Sequence, residues 1–263
     1  MSLNIMVATF LAVGQSVAAP PALAPVGKWV VEYNQANCTL SRPFGTASAP
    51  ITFGIKPSAD MASGELLLLA PGPLGSVRRG NGSVTILPSG DRFDVRWARG
   101  PLAAAGQHGV RFDADQSFWD ALPTAKELEL DVGEPNRIRL ILGPTDKALA
   151  AVKTCSDDLL RGWGADPAAL IKPGGAWLAR LFGPNQYPPA AISAHQQGRV
   201  QTLSVADKQG KVVSCAIVES SGSTPLDTAT CSILRDRGRF APGDVGAPAR
   251  RYVVVAVHWV LPD

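Results

Sequence analysis

The chain has 263 residues, of which 46% are hydrophobic and 18% charged, so it can bury one or two ordinary cores, and two small domains are expected. Its net charge of +3 is too small and too dispersed for a nucleic-acid ligand. It has no internal repeat and no low-complexity tract.

The first residues read as delivery. Ile5 to Val13 is an apolar run, followed by Gly14, Gln15, Ser16 and the small-residue stretch Val17-Ala18-Ala19. This is the pattern of a signal peptide over 1–19 cut near Ala19, although no Lys or Arg precedes it, and the run is too short for a span of about 20 residues. A Pro/Ala-rich spacer covers 20–27. Removal of the leader would place the product in the periplasm; a leader kept as an inner-membrane anchor is the alternative.

From Lys28 the chain shows short strand-like runs separated by Gly, Pro and Asn: Cys38 to Arg42, Ile51 to Ile55, Glu65 to Leu69, Val84 to Leu87, Phe93 to Trp97 and Val110 to Phe112. Such spacing predicts a largely antiparallel sheet. Gly80-Asn81-Gly82 reads as a hairpin turn. Ser117 to Leu122 is expected to be a short helix, and Glu127 to Val132 and Arg137 to Leu142 a hairpin around residues 133–136. A long helix follows Pro144-Thr145, with Ala148, Val152, Cys155, Leu159 and Trp163 on its core face. Residues 165–185 have the composition of a connector, but Trp177, Leu181 and Phe182 in it are expected to dock on a neighbour.

The last stretch is the most organised. Gln186-Tyr187-Pro188-Pro189 leads through Gly198 into a strand from Arg199 to Val205, and Asp207-Lys208-Gln209-Gly210 makes a turn in which Gly supplies a positive φ. On the return strand, Lys211 to Val218, Val213, Cys215 and Ile217 alternate with Ser214 and Ala216, so one face expects a core. After Ser220-Ser221-Gly222-Ser223 a helix starts, with Thr224 as its cap, Pro225 in the first turn and Asp227 completing a box-like pattern. Leu226, Ala229, Thr230, Ile233 and Leu234 form its apolar face. Tyr252 to Leu261 is the strongest strand signal of the chain.

The order strand, strand, helix, strand resembles the TonB C-terminal domain family over roughly residues 183–262. The Tyr-Pro opening, the Gly before the first strand, the Ser-Ser-Gly break and the exit Arg237-Gly238-Arg239-Phe240-Ala241-Pro242 carry the resemblance together. Gly238 departs from the family, many members having a bulky aromatic there. The whole chain is therefore read as α+β: a β-rich N-terminal domain over 28–164 with one long helix, then a TonB-like ββαβ domain over 186–263.

The resemblance implies pairing with an extended segment of an outer-membrane receptor, and transfer of force from an inner-membrane motor. Gln186, Tyr187 and Pro188 match the opening motif. Tyr252 to Leu261 match the partner-binding strand, with Tyr252, Val253, Val255, Val257 and Trp259 as contact residues. An exposed strand edge has unpaired N–H and C=O groups that suit this use. The hallmarks of a full transducer are incomplete: a folded domain stands where a long Pro/Lys or Pro/Glu spacer is expected, and the motor link is indirect at most. Arg235, Arg237, Arg239, Arg250 and Arg251 form a cationic end, read as a solvated complement to the helix dipole or as a rim for an acidic partner.

Four cysteines divide evenly between the two domains without any Cys-x-x-Cys pair, so no zinc or redox chemistry is expected. Bridges Cys38 to Cys155 and Cys215 to Cys231 are predicted, with buried free thiols as the alternative. No cofactor or metal is expected: His108, His195 and His258 lack ligand spacing. Ser220, Ser221 and Ser223 lack a nucleophile elbow. The chain is read as non-catalytic, an envelope enzyme with its site in the N-terminal domain being the rival class.

Overall fold

The structure is a computed structural model, and it describes residues 20–71, 78–101, 107–132, 137–172, 175–240 and 248–261. The leader and the turn expected at 133–136 lie outside the described residues.

The described residues of the N-terminal half form ten strands: β1 (Ala22–Leu23), β2 (Val30–Tyr33), β3 (Cys38–Thr46), β4 (Ala49–Pro57), β5 (Gly64–Pro71), β6 (Arg78–Leu87), β7 (Arg92–Pro101), β8 (Gln107–Ala114), β9 (Glu127–Asp131) and β10 (Arg137–Ile141). Their order in the sheet is β1-β10-β9-β6-β7-β8-β5-β4-β3-β2, antiparallel except for β1 on β10. The two ends of this order belong to one continuous segment. β1 pairs with β10, Pro25 bridges Phe44 of β3, Val26 donates to the Pro43 carbonyl at 2.9 Å, and β2 then pairs with β3. Residues 22–33 thus bridge the two ends of the sheet, which closes on itself as a barrel. Arg42 fastens the seam: its Nε donates to the Gly27 carbonyl at 2.7 Å, its Nη1 to the Leu142 carbonyl at 2.8 Å, and its guanidinium lies 5.6 Å from the Trp29 ring centroid.

Alternation along the strands fills the barrel with Leu40, Phe44, Phe53, Ile55, Leu66, Phe112, Leu128 and Leu140. Helix α1 (Gln116–Ala121), capped by Asp115, adds Phe118, whose ring meets Phe93 and Trp119 edge to face. Gly80-Asn81-Gly82 is not a turn: it lies inside β6. The Trp97 indole lies across it, donating to the Asn81 carbonyl at 3.1 Å, and a Cβ at Gly80 would stand 3.0 Å from the Trp97 ring. Gly80 admits that ring, while at Gly82 a Cβ would fall 2.2 Å from the Asp131 carbonyl oxygen.

Helix α2 (Asp146–Gly162) lies against β2 and β3 and buries Val152, Cys155, Ser156 and Leu160. The buried stripe runs through Leu160 where the sequence pointed to Leu159, because the end of α2 meets a second surface described below. Cys155 is bonded to Cys38.

The C-terminal half is a three-stranded sheet in the order β12-β11-β13, with β11 (Gly198–Ala206) in the middle, β12 (Val212–Glu219) and β13 (Arg251–Trp259). Gly210, at φ +80°, makes the turn between β11 and β12. Helix α5 (Thr224–Arg237), numbered after α3 (Gly175–Leu181) and α4 (Pro189–Ser193), packs on one face through Leu226, Thr230, Cys231 and Leu234. Its cap is Ser223, one residue before the expected Thr224, while Asp227 reaches back to Ser220 and Ser221. The Cys215–Cys231 bridge ties β12 to α5.

Two expectations for β12 are corrected. Val213 is 55% exposed and Ile217 37% exposed, not in the core. A register shift between Val205 and Ala206 leaves Val213 without a place in the pairing, so Val212 turns inward in its stead. Val212 also occupies the space beside Gly238, where an added Cβ would fall 2.7 Å from its Cγ2 and 2.3 Å from the Leu234 carbonyl oxygen. Gly238 therefore lies close against Val212 and the last turn of α5, with no room for a side chain in that direction.

Candidate functional site

The sequence implies a core on one face of the C-terminal sheet; the structure covers both faces of β11 and β13. Val253, Val255, Val257 and Trp259 point to the α5 side. Leu203 and Val254 point the other way, into a second cluster with Ala59, Leu160 and Ala165 of the N-terminal half. A polar seam runs beside it. Lys56 and Arg199 both pair with Glu219, Lys56 at 2.8 Å, and Gln201 donates to the Ala36 carbonyl at 3.1 Å. The C-terminal sheet is therefore seated on the barrel wall, and β13 reads as a nearly unbroken apolar run because both its faces are buried.

What remains open on β13 is its edge. β11 occupies one side of the strand, with Trp259 opposite Gly198 and Arg251 opposite Ala206. On the other side, Leu170 bridges Tyr252 and the Ile171 N–H donates to the Tyr252 carbonyl at 2.7 Å. That bond shows that residues of even number direct their backbone groups outward, since N–H and C=O alternate sides along a strand. The outward groups of Val254, Ala256 and His258 have no backbone partner among the described residues.

The sequence-predicted opening motif lies at the Trp259 end. Gln186 ends a single turn, Pro184–Gln186, and its Oε1 accepts from the Gly183 N–H at 2.9 Å. The Tyr187 hydroxyl donates to the Gln196 carbonyl at 2.5 Å, and its ring meets Trp259 edge to face at 5.2 Å. The Pro188 carbonyl accepts the first amides of α4. Phe182, on the far side, meets the same indole at 5.9 Å. Trp177 lies 4.4 Å from Phe240 and donates to the Arg239 carbonyl at 2.6 Å, so the aromatic residues of the connector are packed into the C-terminal core. Residues 183–261 match the model of the family described as Gram-negative bacterial TonB protein C-terminal. Over this stretch the chain is similar to a TonB C-terminal domain. No curated protein and no solved structure matches the chain. Among the described residues no helix is long and apolar enough to cross a membrane.

At the same end of β13 a cleft of about 500 Å³ opens between the TonB-type domain and the outer faces of β6, β7 and β8. Sequence reasoning treated His258 as a structural residue alternating with Trp259, with nothing to connect it to residues some 150 and 190 positions earlier. In the structure its Nδ1 lies 3.6 Å from an Asp113 carboxylate oxygen and 4.0 Å from Glu65. His195 is exposed beyond α4, and the side chain of His108 lies outside the described residues. The ligand-type atoms of Glu65, Asp113 and His258 lie within 4.8 Å of one another, a grouping that could hold a metal ion. However, Arg111 pairs with Glu65 at 3.3 Å and Arg96 with Asp113 at 3.5 Å, so guanidinium charge already stands where a cation would be needed. Among the described residues that line the cleft, none carries a hydroxyl, thiol or primary amine that could serve as a nucleophile beside His258.

Burial lowers the His258 pKa below the usual imidazole value; Asp113 and Glu65 draw it up, while Arg199 and Arg111 push it further down. The fold therefore favours neutral imidazole. That contribution is complete above the unfolded value of about 6.5 and is lost as pH falls through the lower folded value. Stability of the wild type is expected to decline as pH falls from about 6.5 towards the lower folded value, and His258→Gln to show a flatter slope within that window in pH-resolved urea denaturation. Equal slopes for the two proteins would assign the acid sensitivity to another group.

Proposed function

We propose that the TonB-type domain binds an extended segment of an outer-membrane receptor, or of another envelope protein, by adding it as a strand to the outer edge of β13. The protein would work in the periplasm, without catalysis of its own, in the service of transport across the outer membrane. The observation that carries this reading is the position of β13 as the outermost strand of a three-stranded sheet within a stretch that matches the TonB C-terminal family.

Because the side chains of Val253, Val255, Val257 and Trp259 are buried on the α5 face, the contact they offer is through the strand they build. An incoming segment would pair with the outward backbone groups of Val254, Ala256 and His258, and Tyr252 would mark the end already taken by Ile171. Proline can stand in an edge strand where its missing N–H faced outward, but not where the N–H belongs to the ladder. Ala256→Pro is thus expected to keep the fold and to weaken capture of receptor-derived peptides by tenfold or more, roughly the effect of one lost hydrogen bond and its unpaired partner. Backbone amide resonances of Val253 to Trp259 should shift with wild type and not with Ala256→Pro. Undiminished binding by a folded Ala256→Pro protein would rule out this edge.

A transducer anchored by an uncleaved leader is separated from a released periplasmic protein by the N-terminus of the mature chain: a start at Pro20 means release.

A further inference from the structure

We propose that one end of the barrel takes up a single-chain amphiphilic anion, an unbranched alkyl chain ending in a carboxylate or phosphate, with its tail in the lumen and its head on Arg78 and Arg99. The inference rests on the barrel alone, so it stands apart from strand addition at β13.

The packing inside the barrel differs between its two ends. Helix α1 fills the end where β7 begins, with Phe118 against Phe93. Near the end of β7 the packing stops short, and a cavity of about 250 Å³ remains. Its walls are Leu68, Phe112 and Leu130 of the barrel core, with Val110, Val132 and Ile138 packed beside them. Trp97, laid across Gly80, packs against the same core and completes the apolar lining.

Two arginines share this lumen. Val84 and Ile86 mark the inward positions of β6, and Arg78 has the same parity; Val95 and Trp97 mark those of β7, and Arg99 has theirs. The pairing of the two strands is regular from Arg78 opposite Arg99 to Thr85 opposite Arg92. Arg78 and Arg99 therefore stand side by side on the inner face, and both line the cavity. The described lining includes no carboxylate. Neither guanidinium has an ion-pair partner among the described residues, and the Arg99 Nε is buried without a hydrogen-bond partner. Arginines on the outer face differ: Arg96, Arg111, Arg137 and Arg139 each pair with a carboxylate.

Like charges directly opposite each other on neighbouring strands are destabilising, and a buried donor without an acceptor adds to the cost. An oxyanion between the two guanidinium groups removes both costs. Each presents N–H donors in a planar fork that matches carboxylate and phosphate oxygens, and charge-assisted bonds of this kind are the strong ones. Beyond the arginines the lining is hydrocarbon and indole, so the rest of the ligand must be apolar. A volume of about 250 Å³ lies just below the range of drug-sized pockets, which suits one short alkyl chain and not a two-chain lipid. Each methylene moved from water into such a lumen tightens binding about fourfold.

The test uses the full chain with octanoate and octyl phosphate as probes, 1-octanol and octylammonium as neutral and cationic controls, and hexanoate as the shorter tail. Binding is followed by calorimetry. The expected result is saturable one-to-one binding of octanoate or octyl phosphate, at least about tenfold tighter than either control and about tenfold tighter than hexanoate. The tighter of the two anions names the head group. Arg99→Gln and Arg78→Gln should each weaken that binding about tenfold and leave the ligand-free thermal midpoint unchanged or raised, because each relieves the like-charge pair. A merely structural role for the two arginines predicts a lowered midpoint instead. Arg78 is exposed, so its variant decides the matter if Arg99→Gln does not fold. Equal affinity for anion and 1-octanol, anion binding unchanged in a folded arginine variant, or no saturation at about 1 mM of either probe would each overturn the proposal.

Discussion

Replacing Cys38 and Cys155 together by alanine is expected to lower the unfolding free energy by about 5 kcal/mol, the largest single effect in the molecule. The bridge closes a loop with a sequence separation of 117, whereas Cys215 and Cys231 are 16 apart. Chain-entropy reasoning gives about 5 kcal/mol for the first and about 3 kcal/mol for the second. Cys38 and Cys155 are both buried, at 1% and 0% exposure, so alanine leaves only small voids. The effect should also spread. Leu160, five residues beyond Cys155 on α2, belongs to the cluster on which the C-terminal sheet rests. Loosening α2 therefore weakens the seat of the TonB-type domain as well as the barrel. Guanidinium denaturation of wild type and both double-alanine variants measures this. A Cys38/Cys155 variant within about 1 kcal/mol of wild type, or one less affected than the Cys215/Cys231 variant, would contradict the account.

Trp259→Ala should cost the TonB-type domain about 3–5 kcal/mol. The indole is 4% exposed and meets the rings of Phe182 and Tyr187 edge to face. Its Nε1 donates to the Thr230 hydroxyl at 2.9 Å, linking the end of β13 to the middle of α5. Trp259→Phe keeps most of the ring volume and loses that hydrogen bond, which predicts a smaller loss of about 1–2 kcal/mol. Thermal melts followed by near-ultraviolet circular dichroism would separate the two, and a loss below about 1 kcal/mol for the alanine variant would mean that the aromatic cluster is not what holds this end together. There is a functional corollary. Trp259→Ala would abolish any partner binding by damaging the fold, so it cannot test strand addition, whereas Ala256→Pro leaves the ladder with β11 intact.

Errors of sequence reading fall where a residue answers to something distant. Thr224 and Ser223 are equally good caps by type, and the chain's path out of β12 selects Ser223. Val213 alternates correctly with Cys215 and Ile217, but the irregular pairing beside Val205 removes it from the core. Gly80-Asn81-Gly82 has the composition of a turn, and the Trp97 ring that explains it comes from the next strand. Leu159 fits one helical stripe on α2, and Leu160 is buried because the helix end touches two bodies.

The α+β class, the strand–strand–helix–strand order of the last third and the apolar face of α5 were legible in the sequence, and the bridges Cys38–Cys155 and Cys215–Cys231 were expected there with free thiols as the alternative. Each of these follows from local periodicity, turn chemistry or simple counting. Tertiary structure alone decided the closure of the barrel by residues 22–33, the burial of the second face of β13, and the arginine-lined cleft. Each joins segments far apart in the chain, such as Glu65, Asp113 and His258. Local sequence sets which way a side chain leaves its strand, but which wall it then meets depends on how the two halves of the chain are seated against each other.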